Sequence, residues 1–276
     1  MNFLSIVWDP SIGIDLGFFV IRWYSLMFVV AFLLGLRLMK KIYVEDKIPV
    51  EKLDSLFMYV FVSMLVGMRF GDVFFYSWDY YQNHLLEIIL PMKKLADGSW
   101  KFVGYAGFAS HGAAIAIPLA MYFYAKKQLN KPWLFILDRL GIMVALAGFF
   151  IRMGNFFNSE IYGKPTNSNW GVIFKGDGQT IPRHPTQLYE AISYLILFFA
   201  LWYLYWKTDK KNQTGFLFGL FMVVLWSLRF FIEFLKEAQV EGREDWVLNS
   251  LNTGQILSIP LVLIGCWLMF RKTKKA

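Results

Sequence analysis

Seven apolar runs, each about as long as one membrane crossing, constrain this chain more than any other feature: 18–38, 56–76, 103–125, 133–157, 186–206, 214–235 and 250–270. A spanning helix takes about 20 apolar residues, so seven of them use roughly half of the chain and leave room only for loops and short extramembrane elements. One large soluble core fails on composition. Hydrophobic residues make up 57% of the 276 and charged residues 17%, with a mean hydropathy of +0.44, whereas soluble domains carry about 25% charged residues. The expected fold class is therefore all-α: a polytopic membrane protein with seven transmembrane helices in a single integral membrane domain, residues 1–276. The segment leading into the first run has neither a basic region nor a small-residue cleavage site, so that run is expected to act as an uncleaved insertion signal.

A net charge of +8 and a pI near 9.4 invite a nucleic-acid reading, but the basic residues flank the apolar runs, as topology signals do. No nucleic acid is expected as a partner. Fifteen Lys and Arg follow the first, third, fifth and seventh runs, eight occupy the alternate segments, and none precedes the first. The positive-inside rule then puts the N-terminus outside and the C-terminus in the cytoplasm. Trp202, Tyr203, Tyr205 and Trp206 at one end of the fifth run, and Trp23 and Tyr24 at the outer end of the first, read as interfacial anchors. The single cysteine, Cys266, excludes an intrachain disulfide and reads as a packing residue. Three histidines are too sparse for metal ligation, so neither a metal nor a cofactor is expected.

The remaining five of the 28 basic residues are arginines within or at the edges of the runs, where a charge costs about 2.5–3.5 kcal/mol and needs a partner or a task. Arg22 can snorkel to the outer interface, and Arg139 stands beside Asp138 near the cytoplasmic start of the fourth run. Arg69, Asp72 and Tyr76 share one helical face, as a structural ion pair would. Arg152 opens IRMGNFFNSEIYG at the outer end of the fourth run, with Asn155 and Ser159 on its face and Asn158, Glu160, Gly154 and Gly163 in the turn beyond. Arg229, Glu233 and Glu237 form a third polar face, in which the carboxylates are expected to neutralise the arginine and fix its fork. His111 lies among small residues early in the third run, and RHPTQLYE, with His184, Gln187, Tyr189 and Glu190, precedes the fifth. All of these groups share the outer side. Arginines with histidine, amides and carboxylates there suit an anionic, phosphate-bearing ligand at lipid depth, of which membrane phospholipid is the abundant source.

At these residues the chain resembles the prolipoprotein diacylglyceryl transferase family. The resemblance rests on R-x-G-N-F-x-N-x-E-x-x-G (Arg152 to Gly163), R-H-P-T-Q-L-Y-E (Arg183 to Glu190), S-H-G at His111, R-W-Y at Arg22 to Tyr24, R-x-x-x-E at Arg229 to Glu233 and G-Q-I-L-S-I-P from Gly254. It implies a multi-pass enzyme of the bacterial inner membrane, with a periplasmic N-terminus and a site toward the periplasm. The implied reaction moves the sn-1,2-diacylglyceryl group of phosphatidylglycerol to the lipobox cysteine thiol of a preprolipoprotein peptide, forming a thioether and releasing glycerol 1-phosphate. It implies Arg152 and Arg229 as catalytic phosphate-stabilising residues and His111 as general base. Asn155, Glu160, Gly163, Tyr24, Glu233 and His184 are implied to bind phosphatidylglycerol beside Arg152, with Glu233 orienting Arg229. The chain departs from the family at Ile151, Ala113 and Ser25, where glycines are usual, and at Leu225, where well-known members carry a tyrosine. Segments 77–102 and 236–252 match poorly and are expected to be surface or lid elements. A lipid or anion transporter using the same arginines, and a lipid-binding protein without turnover, remain the competing readings.

Overall fold

A computed structural model describes residues 6–95, 98–104, 109–237 and 251–271, without the side chains of Ser110, His111 and Thr253. Each apolar run contains a helix: α1 (Trp23–Glu45), α2 (Lys52–Phe75), α5 (Ser110–Tyr124), α6 (Trp133–Phe157), α7 (Thr186–Lys207), α8 (Phe216–Ile232) and α9 (Thr253–Phe270). Two one-turn helices, α3 (Trp78–Tyr81) and α4 (Leu86–Ile89), lie between α2 and α5. By length and composition, α2, α6, α7 and α8 with its extension to Leu235 can each cross a membrane, and α9 is a shorter apolar helix. The chain is a mostly helical, multi-pass membrane protein.

Two runs differ from their expected bounds because short strands, which give no period-2 signal over three residues, take up their ends. Strand β3 (Val20–Arg22) pairs antiparallel with β2 (Gly13–Asp15), so the first helix begins only at Trp23. Strand β5 (Trp100–Phe102) pairs with β4 (Met92–Lys94), and the third run is helical only from Ser110.

The described chain divides into two compact units. In Lys47–Leu137, α2 and α5 approach through small residues: a Cβ on Gly71 would stand 2.7 Å from the Gly112 Cα, a contact only glycine permits. Arg69 donates to the carbonyls of Glu87 at 2.7 Å and Ile88 at 3.1 Å while its guanidinium covers the Tyr81 ring at 4.8 Å. Those carbonyls end α4, where four C=O groups have no helical partner.

The second unit, Met1–Asp46 with Asp138–Ala276, carries α1, α6, α7, α8 and α9. Gly219 and Gly265 bring α8 and α9 together, a Cβ on Gly219 standing 2.7 Å from the Gly265 carbonyl oxygen. At the start of α6, buried Asp138 accepts from the Gly215 N–H at 2.7 Å and the Phe218 N–H at 2.8 Å, supplying the N-terminal cap that α8 lacks in its own sequence. Arg139 pairs with Asp46, 93 residues away, at 2.8 Å, and lies 3.9 Å from the capping carboxylate of Asp138. Between α6 and α7, strand β6 (Val172–Phe174) pairs in parallel with β1 (Ile6–Trp8). Phe156, Val172 and Phe174 form a small core there, against which Trp8 packs while its Nε1–H donates to the Phe156 carbonyl at 2.9 Å.

Candidate active site

The last turn of α6 holds Arg152 and Asn155 on one face, as their i, i+3 spacing requires. Arg152 Nη1 donates to Asn155 Oδ1 at 3.2 Å, and Asn155 Nδ2 donates onward to Glu160 Oε1 at 2.7 Å. The amide thus has its oxygen toward a cation and its nitrogen toward a carboxylate. Asn158 adds a second, longer donor to Glu160 Oε1 at 3.4 Å.

Glu160 is reached through a tight turn. Ser159 and Ile161 both have positive φ, 55° and 59°, and for β-branched Ile161 this costs on the order of 1–3 kcal/mol. The start of α7 holds the turn: Thr186 Oγ1 donates to the Ile161 carbonyl at 2.9 Å and Gln187 Nε2 to the Glu160 carbonyl at 2.7 Å. Thr186, Gln187 and Glu190 are all fully buried.

Glu190 is the centre of the cluster. Its Oε2 stands 2.9 Å from Arg152 Nε, an ion pair lying off the hydrogen-bond axis, and its Oε1 accepts from Lys236 Nζ at 3.1 Å. Arg229 on α8 is within electrostatic range of the same carboxylate, of Tyr194 and of Lys236. Lys236 also lies 3.7 Å from Glu233 Oε2. Burial pushes the Lys236 ammonium below the ordinary lysine range, and the attraction of Glu190 partly opposes that. Outside the cluster, burial and the bond to Asp177 push the Tyr162 phenol up to about 12. Arg183 lies over the Tyr162 ring at 5.0 Å and pairs with Glu237.

Arg229 has no hydrogen bond and no ion pair among the described residues, and its Nε is buried. The expected pairing with Glu233 is not formed. Helix α8 ends at Ile232 and tightens into a 3₁₀ turn at Glu233–Leu235. In such a turn i and i+3 eclipse, which aligns Glu233 with Lys236, and the Glu233 carboxylate lies 3.7 Å from that ammonium. Beside Arg229, Gly254 opens α9. A Cβ there would lie 3.4 Å from Arg229 Nη2, so the glycine leaves room around the guanidinium. The next residue, Gln255, completes a capping box with Asn252 and donates to the Phe230 carbonyl at 3.2 Å, tying α9 to α8 beside the arginine.

The pattern of the family described as Prolipoprotein diacylglyceryl transferase matches residues 11–271. The chain belongs to that family. A relative from Bacteroides fragilis, named phosphatidylglycerol–prolipoprotein diacylglyceryl transferase, is 40% identical over 273 residues, covering 99% of this chain and 97% of its own. Relatives of the same name from Tolumonas auensis and Chloroherpeton thalassium are 41% and 40% identical, covering 97% and 98% of this chain and 96% of their own in both cases.

In this transferase the structure gathers Arg152, Asn155, Glu160, Arg229 and Glu233 around one buried cluster. Tyr24 joins from the first turn of α1, packed on Gly154, where a Cβ would meet its Cδ2 at 2.8 Å, and within electrostatic range of Arg152 and Glu160. Gly163 contributes backbone: it bridges to Lys236, and a Cβ on it would stand 2.5 Å from the Leu235 carbonyl oxygen. The His184 ring meets the Tyr189 hydroxyl at 3.2 Å, so the structure gives it a neighbour on α7. The side chain of His111 lies outside the described residues. Two members of the cluster are absent from the residues singled out in the sequence, Lys236 and Tyr194. Tyr194 carried a readable signal, since it is i+4 from Glu190 on the same face of α7.

Proposed function

We propose that this chain transfers the sn-1,2-diacylglyceryl group of phosphatidylglycerol to the lipobox cysteine thiol of preprolipoproteins, in a bacterial inner membrane, with the cluster toward the periplasm. Membership of the transferase family supports the reaction. One observation supports its location: among the described residues Arg229 has no hydrogen bond or ion pair, in the same cluster as an Arg152 already held in place. A partly buried guanidinium held without a close counter-ion is costly to keep from water, so a site that keeps one suits an anion that arrives.

The chemistry is displacement at carbon. The thiol sulfur attacks the terminal glyceryl carbon of the diacylglycerol, the bond from that carbon to the phosphate oxygen breaks, and glycerol 1-phosphate leaves with both electrons. Charge grows on the phosphate as the bond breaks, and Arg152 and Arg229 are its proposed stabilisers, preorganised donors that need no rearrangement in the transition state. The thiol proton goes to a base, proposed as His111. The phenol that Leu225 lacks has a counterpart in Tyr194, within range of both arginines. Asn155, Glu160 and Tyr24 shape the headgroup side, Gly163 and His184 hold the backbone around it, and Glu233 acts through Lys236. All seven helices are proposed to span, with the N-terminus periplasmic and the C-terminus cytoplasmic, as the distribution of Lys and Arg supports.

The test is transfer in vitro: purified protein, phosphatidylglycerol and a lipobox peptide, read by mass spectrometry against a Cys→Ser peptide. A diacylglyceryl increment on the cysteine peptide alone is expected. Lipid moved across a bilayer without a covalent product would favour a transporter instead.

A further inference from the structure

Three cations, Arg152, Arg229 and Lys236, lie within interaction range of one fully buried carboxylate, that of Glu190. It contacts two of them, one through each oxygen, while the third, Arg229, has no ion pair among the described residues. A divided carboxylate of this kind does two things. It fixes the orientation of Arg152 and Lys236 in a region where unpaired charges would repel one another, and it lowers the positive charge that an anion meets. The second effect matters at the end of the reaction. The lipid substrate is a phosphodiester with one negative charge, whereas glycerol 1-phosphate is a monoester whose second ionisation lies near pH 6, so at neutral pH it carries close to two. A cluster with one more positive charge would hold that product harder than it holds the substrate.

We propose that Glu190 is a positioning residue that aligns Arg152 and Lys236 and limits the charge of the cluster so that the phosphate product can leave, a role that rests on the reaction proposed above. The geometry points away from the part of thiol base: Glu190 is fully buried, with an oxygen on each of two cations.

The experiment compares Glu190→Gln, Lys236→Met and the double variant with wild-type protein, measuring turnover and inhibition by added glycerol 1-phosphate. Glu190→Gln is expected to lower kcat at least tenfold and to tighten glycerol 1-phosphate inhibition at least fivefold. The double variant, which restores the net charge, is expected to bring inhibition back to within twofold of wild type. A merely structural glutamate predicts weaker inhibition as the site loosens. Unchanged or weakened inhibition in Glu190→Gln, or a double variant no different from the single, overturns the proposal. Should Glu190→Gln not fold, Lys236→Met decides by the opposite sign, since it must weaken inhibition. If wild-type protein shows no transfer, the proposed reaction fails, and calorimetric binding of glycerol 1-phosphate to the same variants still tests the role of Glu190.

Discussion

Gly163 and Lys236 face each other across a single antiparallel bridge, with the Lys164 N–H donating to the Leu235 carbonyl at 2.8 Å. The turn after α6 thereby sets where the ammonium after α8 stands, and the glycine is what allows the two strands to close. The motif residue works on the cluster through its backbone.

Gly163→Ala is expected to open that bridge. Its Cβ would stand 2.8 Å from both His184 Cβ and Thr186 Cγ2, and the nearest obstacle, the Leu235 carbonyl, is backbone that cannot turn aside. Overpacking of this kind costs about 1–3 kcal/mol. Thermal unfolding in detergent checks the stability loss, and transfer measured well below the lowered midpoint checks that displacing Lys236 also reduces turnover.

Asn155→Asp keeps the shape of the side chain and reverses its usefulness. The amide nitrogen that now donates to Glu160 at 2.7 Å would become an oxygen facing a carboxylate, while the Arg152 fork would gain a competing anion. A hydrogen bond to a charged group contributes about 1.5–3 kcal/mol, so turnover is expected to fall at least about tenfold. Equal activity of Asn155→Asp and wild type would show that the amide chain from Arg152 to Glu160 is dispensable.

The legible part of the cluster is the part written within one element. Arg152, Asn155 and Glu160 fall inside a dozen residues, and their helical face could be read from spacing. Glu190 and Lys236 meet across 46 residues, and Arg139 and Asp46 across 93, a separation at which no local pattern survives. The reading of Arg229 with Glu233 failed for a different reason. The Glu233 N–H still closes an α turn on the Arg229 carbonyl, but its carboxylate lies beside Lys236, which the 3₁₀ turn beyond α8 brings into line. The seven helices were legible because lipid demands long apolar runs, whereas the three-residue strands carry too few positions to show alternation.

Alkaline pH should expose Lys236. Its ammonium is held below the ordinary lysine range by burial, with Glu190 and Glu233 opposing and Arg152 and Arg229 reinforcing the shift. Its charge is therefore lost as pH rises through that lowered value, before an exposed lysine would titrate. In stability terms the sign is the reverse of a salt-bridge gain: between the folded and unfolded values the unfolded chain binds more protons, so this group's contribution to stability rises with pH. Activity is expected to move oppositely, because phosphate affinity falls with the charge. Lys236→Arg, charged throughout, should extend the alkaline limb of the kcat/KM profile; coincident limbs in the two proteins would remove Lys236 from phosphate binding.

Asp138→Ala tests the fold apart from the chemistry. Fourteen residues separate Asp138 from Arg152, about 21 Å along a helix at 1.5 Å per residue. Losing the two N–H contacts at the start of α8 should cost about 1–2 kcal/mol as a lost cap, and more because Arg139 also loses the Asp138 carboxylate 3.9 Å away. A lower thermal midpoint with near-normal turnover at low temperature is expected, and a large loss of kcat in folded protein would show that the cap is coupled to the site.

Arg229 should separate function from stability most clearly. It gives no hydrogen bond to any described residue, so Arg229→Met removes a partly buried charge that no described residue pairs directly. The thermal midpoint is expected to stay level or rise, since the cost of keeping that cation from water disappears. Turnover should fall about 10²–10³-fold, the scale on which loss of one preorganised charge-stabilising donor is felt. Arg229→Lys keeps the charge and loses the planar fork that grips two phosphate oxygens at once, so it should recover only part of the rate. A variant that lost stability together with activity would mean that Arg229 holds the protein together instead of waiting for its substrate.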